Sequence, residues 1–233
     1  MKYDNFISLG SSCCPGLSMR ELKIKTETYP FDWVRVNNKI ILDILLNGPD
    51  KFLSFFNVDT FMNPDSEEID VSFFMKDMYM DNNKGWKKRR EALINAYGSP
   101  FLHYVGLSAK ELERKFSRYI DRFFQALDSK QNILFIQSHE DYILHGKSRA
   151  NKDNYYNYLK QIDDHIRKNY PELQYDIINI DIDNNHENYG RIINLNIKYN
   201  KQYSVKWEHH DTTVDFYRDQ ITKAVNHYLN AYN

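Results

Sequence analysis

The apolar run Phe6-Ile-Ser-Leu9 breaks off at Gly10-Ser11-Ser12, and Leu17 to Ile24 then carries helical spacing. A short buried strand, a turn of small residues and a helix form a unit that must pack against further strands to bury its apolar side. Later segments repeat the alternation. Asn38 to Asn47 places Ile40, Ile41, Ile44 and Leu45 at helical spacing before Gly48-Pro49. Ser108-Ala-Lys-Glu111 is a capping box, and it opens a helix with Leu112, Phe116, Ile120, Phe123 and Leu127 on one face. Asn132 to Gln137 reads as a buried strand, 154–168 as a helix ended by Pro171, and Tyr175 to Ile182 as a strand. Arg191 to Ile197 and Tyr203 to Trp207 are strand-like, and Thr213 to Leu229 is the last helix. This pattern predicts an α/β fold with a mainly parallel, Rossmann-like sheet in three layers. The last strands are close in sequence, which leaves room for an antiparallel edge hairpin near the C-terminus.

A single α/β domain over 1–233 is expected, with an insert or lid at about 57–85, where no period is sustained although 69–74 could be a strand. Asp50 to Phe56 reads as a short helical turn and Trp86 to Tyr97 as a helix. Aromatic residues make up 15% of the chain against 8 Gly and 6 Pro, which argues for a packed core rather than disorder. With 31 basic and 32 acidic residues, no global attraction to nucleic acid or an anionic membrane is expected. The basic run Lys84 to Arg90 reads as a solvated helix face. No apolar stretch approaches a membrane span, and two adjacent cysteines do not make a disulfide scaffold, so a cytoplasmic setting is expected.

The chemistry-bearing residues gather near the first turn. Cys13 stands where a strand gives way to a helix, a position in which backbone N–H groups and the helix dipole favour a thiolate. Cys14 reads as its packing neighbour, and Ser11 and Ser12 as rival nucleophiles or as the turn whose N–H groups hold an oxyanion. A base must come from the histidines. Trp207-Glu-His209-His210-Asp211 is the leading cluster, with Asp211 as the orienting carboxylate or a helix cap. His103 is the second choice, and His139, after the strand ending at Ser138, is a binding candidate. In Tyr29-Pro-Phe-Asp-Trp33, Phe31 and Trp33 read as core or cleft-wall aromatics. Asp32 is either an orienting carboxylate or the N-cap of the next helix. Asp181-Ile-Asp183, at a strand end, offers an alternative: two carboxylates that hold Mg²⁺ or Mn²⁺ with a sugar nucleotide in a glycosyltransferase-like reaction.

Ser8-Leu-Gly-Ser-x-Cys13 together with Tyr29-Pro-Phe-Asp-Trp33 resembles a microbial and viral family of papain-like cysteine peptidases. The resemblance covers roughly the first third of the chain and reaches Phe101-Leu-His103 and Ile133 to Ile136. It implies a thiol-centred site. Papain itself sets its cysteine on a long helix against an antiparallel barrel, whereas this chain alternates strand and helix. "Papain-like" is therefore read as a Cys–His pair rather than as a fold. The expected function is a Cys-dependent hydrolase or acyl transferase with no cofactor, acting on a small-molecule, peptide or glycan substrate. A non-catalytic binding module is the further alternative.

Overall fold

Four strands, β1 (Asn5–Ser8), β4 (Asn132–Ser138), β5 (Gln174–Ile182) and β6 (Ile192–Ile197), form one sheet in the order β1-β4-β5-β6, and every pairing is parallel. The computed structural model describes residues 2–10, 12–57, 92–99, 101–138, 152–182, 186–198 and 210–232. A second, two-stranded sheet pairs β2 (Phe55–Asn57) with β3 (Leu93–Asn95) in antiparallel fashion. The helices are α1 (Cys14–Glu21), α2 (Asn38–Asn47), α3 (Asp50–Leu53), α4 (Ala109–Leu127), α5 (Lys152–Asn169) and α6 (His210–Tyr232), with a 3₁₀ turn at Leu102–Tyr104.

Strand alternation sorts the apolar side chains into two layers. Ile7, Ile133, Phe135, Tyr175 and Ile177 face a core shared with α2, α4 and α5. Phe6, Leu134, Ile136, Ile178 and Ile180 face the other side, against Cys14 and Met19 of α1 and Tyr217, Ile221 and Val225 of α6. Both faces are covered, so the three-layer parallel arrangement predicted from the alternation is present. The capping box of α4 is complete, and the apolar stripe named for that helix is buried.

One expectation needs correction, and another is narrowed. The edge hairpin is not made by β5 and β6: Ile177 to Ile182 pair in parallel with Ile192 to Ile197. The residues between the strands, at about 3.3 Å each, are long enough to run back along the sheet before β6 begins. The strand-like run 203–207 lies outside the described residues. The helix expected over 86–97 does not cover its later residues, because Leu93–Asn95 is a strand paired with β2. A short apolar run such as Ala92-Leu-Ile94 suits either state, and the open edge of β2 decides it. Residues 58–91, which hold almost all of the expected insert and its strand at 69–74, lie outside the described residues.

Two glycines set the route of the chain toward the site. Gly10 has a φ of +83°, and a Cβ there would overlap Val36 Cγ2 in the core. Gly16, in the first turn of α1, lies so close to the Asp32 backbone that a Cβ would stand 3.0 Å from its carbonyl oxygen. Gly10→Ala combines a strained backbone with an overpacked, β-branched neighbour. It is expected to cost about 2–4 kcal/mol in urea unfolding.

Candidate active site

Helix α1 starts earlier than its apolar spacing suggests, because Pro15 is well suited to a first helical turn. Cys13 thereby becomes the N-cap. Its side chain makes no capping bond, and its carbonyl receives the N–H of Leu17 at 2.9 Å. The thiol is partly buried at the positive end of the helix, just beyond the carboxyl end of β1. Ser12 is buried, and its Oγ accepts the N–H of Cys14 at 3.0 Å, so that N–H is committed to the turn.

The other end of α1 returns the chain to the same place. Lys23 takes a left-handed conformation (φ 56°), with its N–H bonded to Arg20 O and that of Ile24 to Met19 O. This is the bond pattern of a Schellman motif, and it reverses the chain. Lys25 is carried to Asp32, where the ammonium and carboxylate meet at 2.6 Å with their side chains 5% and 0% exposed. Asp32 also accepts the N–H of Tyr29 at 2.6 Å, while its own N–H reaches Tyr29 O at 3.3 Å. Burial pushes the Asp32 carboxyl up and the Lys25 amine down, and each is opposed by its partner. Asp32 therefore clamps the turn Tyr29-Pro-Phe-Asp. It does not cap α2, a task done by Asn37, whose side chain accepts the N–H of Ile40 at 3.0 Å. Phe31 from this turn is fully buried, edge-on to Phe123 (5.3 Å) and Phe52 (5.9 Å). Trp33 is left partly exposed at the surface.

His103 arrives from the opposite side of the site. It sits on the 3₁₀ turn, two residues after Phe101, which is pinned by its N–H to Leu93 O (2.9 Å) and ringed by Phe55 and Phe116 at 4.8 Å. The exposed imidazole meets Trp33 edge to face at 5.4 Å and hydrogen-bonds the Cys13 thiol. The Cys13 pKa is lowered to about 4. A hydrogen bond from Cys14 contributes most, followed by the bond and charge of His103 and the charge of Arg35, all working against desolvation. A thiol whose pKa is lowered in this way gives up its proton more readily than a free cysteine does.

The remaining sequence candidates are distributed as follows. Ser11, His139, His209 and Asp183 lie outside the described residues. His210 and Asp211 fall in the first turn of α6, where only the backbone is described. Ser18 Oγ donates to Arg218 O (3.2 Å) and Thr222 Oγ1 reaches Glu21 (3.5 Å), so α1 and α6 run in the same direction and begin at the same edge. Asp181 is buried at the end of β5, with His186 Nε2 at 3.6 Å, two strands away from β1. Among the described residues, no three His, Cys, Asp or Glu side chains stand together as a metal site. No helix among them is long and apolar enough to cross a membrane.

Sequence reasoning missed Arg35 and the role of Cys14. Arg35 lies two residues beyond Trp33, between the Tyr29–Asp32 turn and α2, and its charge favours the Cys13 anion. Cys14 is buried among Met19, Leu134 and Ile136, as a packing residue would be, yet it is also a donor to its neighbour.

The fold is α/β, with Cys13 and His103 brought together just beyond the carboxyl end of β1 in a parallel sheet. Residues 4–185 match the family described as "Putative papain-like cysteine peptidase (DUF1796)", and the chain belongs to that family. It is also similar to "Uncharacterized protein R408" of Acanthamoeba polyphaga mimivirus, with 27% identity over 223 residues, covering 83% of this chain and 95% of that protein. No solved structure matches the chain significantly.

Proposed function

We propose that this protein is a thiol-dependent hydrolase or acyl transferase in which Cys13 is the nucleophile and His103 its base. The hydrogen-bonded Cys13–His103 pair, with the thiol pKa lowered to about 4, is the observation that carries the reading. In the reaction the Cys13 sulfur attacks an acyl carbon, and the bond from that carbon to its leaving group breaks. His103, which holds the proton of the Cys13–His103 pair, delivers it to the departing atom. Water or another acceptor then gives its proton to His103 and attacks the thioester, releasing the acyl group and restoring the thiolate. Trp33 fixes the imidazole through its ring edge, since among the described residues no carboxylate hydrogen-bonds to His103.

Mixing the protein with a p-nitrophenyl ester is expected to give a stoichiometric burst of nitrophenolate and an acyl mass on the peptide that holds Cys13. Cys13→Ala should abolish both the burst and labelling by iodoacetamide at pH 6, where an ordinary thiol (pKa about 8.5) is almost wholly protonated. Cys14→Ala should keep the burst but slow the labelling, and Cys14→Ser, which keeps a donor, should slow it less. Equal and complete loss from Cys13→Ala and Cys14→Ala would reduce the pair to a structural element.

A further inference from the structure

Beside His103 and Trp33 opens a cleft of about 580 Å³, lined also by Arg20, Lys25, Glu27, Tyr104, Lys115 and Tyr119. Its charges divide sharply into neutralised and unneutralised. Lys25 is matched by Asp32 at 2.6 Å, and Glu27 by Arg122 at 3.0 Å. Arg20 and Lys115 have no carboxylate partner among the described residues. Each lies instead over an aromatic face: the Arg20 guanidinium 5.5 Å from the Trp33 ring, the Lys115 ammonium 5.5 Å from the Tyr104 ring. Cation–π contact holds a positive group in place without cancelling its charge. The chain as a whole carries a formal charge of −1, so this positive charge is local and belongs to the concave wall that His103 and Trp33 help to line.

The two cations come from different elements, Arg20 from the last turn of α1 and Lys115 from the second turn of α4. The rings beneath them are the neighbours of His103, Trp33 in space and Tyr104 in sequence. A guanidinium fork and an ammonium on two walls of one cleft suit an anion held between them. From this placement we infer that the acyl substrate of the Cys13–His103 site carries an anionic group, carboxylate or phosphate, which docks between Arg20 and Lys115. The inference rests on the thiol-centred reading above and adds the substrate class to it.

The test compares iodoacetate with iodoacetamide, two reagents of the same alkylating chemistry that differ in one negative charge. At low ionic strength the ratio of their rates at Cys13 is expected to exceed that of free cysteine by at least about fivefold. Arg20→Gln and Lys115→Gln should each pull the ratio toward the free-cysteine value, and about 0.5 M NaCl should do the same by screening. Lys168→Gln, on the far end of α5, removes the same charge and should leave the ratio alone. Protection of Cys13 from iodoacetamide by inorganic phosphate would assign a phosphate group, and protection by glutarate a carboxylate. A ratio equal to that of free cysteine in the unaltered protein, or protection by neither anion, overturns the inference. Slow iodoacetamide labelling with a midpoint near pH 8.5 would instead overturn the nucleophile reading itself, so the two failures are separable.

Discussion

Exchange of His103 for alanine is expected to lower acyl transfer through Cys13 by about 10²–10⁴-fold, the usual loss when a positioned base is removed. The accompanying pH profile is the sharper readout. Only the thiolate alkylates, and the Cys13 pKa is lowered to about 4. In the unaltered protein the iodoacetamide rate should therefore be flat through neutral pH and fall only as the pH drops through about 4. Removing the imidazole takes away a hydrogen bond and a positive charge that favour the anion, so the midpoint should move upward. It should stop short of the ordinary value of about 8.5, because Cys14 still donates and Arg35 still contributes its charge. A midpoint that stays near 4 would separate His103 from the thiol and sink the pairing.

The largest effect on stability is expected at Asp32. Asp32→Ala leaves the Lys25 amine in a site where its side chain is 5% exposed and its carboxylate partner is gone. Breaking a buried pair from one side costs about 3–5 kcal/mol, since the remaining charge must be buried alone or give up its proton. The change also removes the acceptor for the Tyr29 N–H and so loosens the turn that presents Trp33. Urea unfolding should show the loss as a lower midpoint with little change in slope. Adding Lys25→Met to Asp32→Ala should recover a good part of the stability, because the orphaned charge goes with it. Stability that recovers while Cys13 labelling at pH 6 stays slow would identify the pair as a positioning device for the cleft. An Asp32→Ala variant as stable as the parent would show that the buried pair contributes nothing.

The layer plan was legible because each layer has its own period. Alternating apolar residues in 132–138 and 174–182 fill both faces of a sheet, and the stripe from Leu112 to Leu127 follows the 3.6-residue turn. Strand direction was legible only through the alternation of strands with helices, which predicted the mainly parallel sheet. Period two is the same for a hairpin and for a parallel pair, and the few residues between β5 and β6 left room for a hairpin that this pair does not form. At the site, the turn and its cysteine could be read because strand, small residues and helix are local. The choice of His103 depends on contacts across ninety residues of sequence: Phe101 locked into an aromatic cluster, and Trp33 set by a clamp whose lysine lies on the far side of α1. Nothing in residues 99–104 alone announces a base. Asp32 looked functional because a carboxylate among large apolar side chains must have a partner, and the partner proved to be a lysine seven residues earlier.

In the proposed reaction, the hydrogen bond from Cys14 to Cys13 bears on which step runs most easily. Nucleophilicity declines as a thiol becomes more acidic, while its ability to depart improves. A sulfur whose pKa is lowered gives up an acyl group more readily than an ordinary thiol does. Any thioester formed on Cys13 would thus be a poised, short-lived donor, and the choice between hydrolysis and transfer would fall to whichever acceptor reaches His103 first.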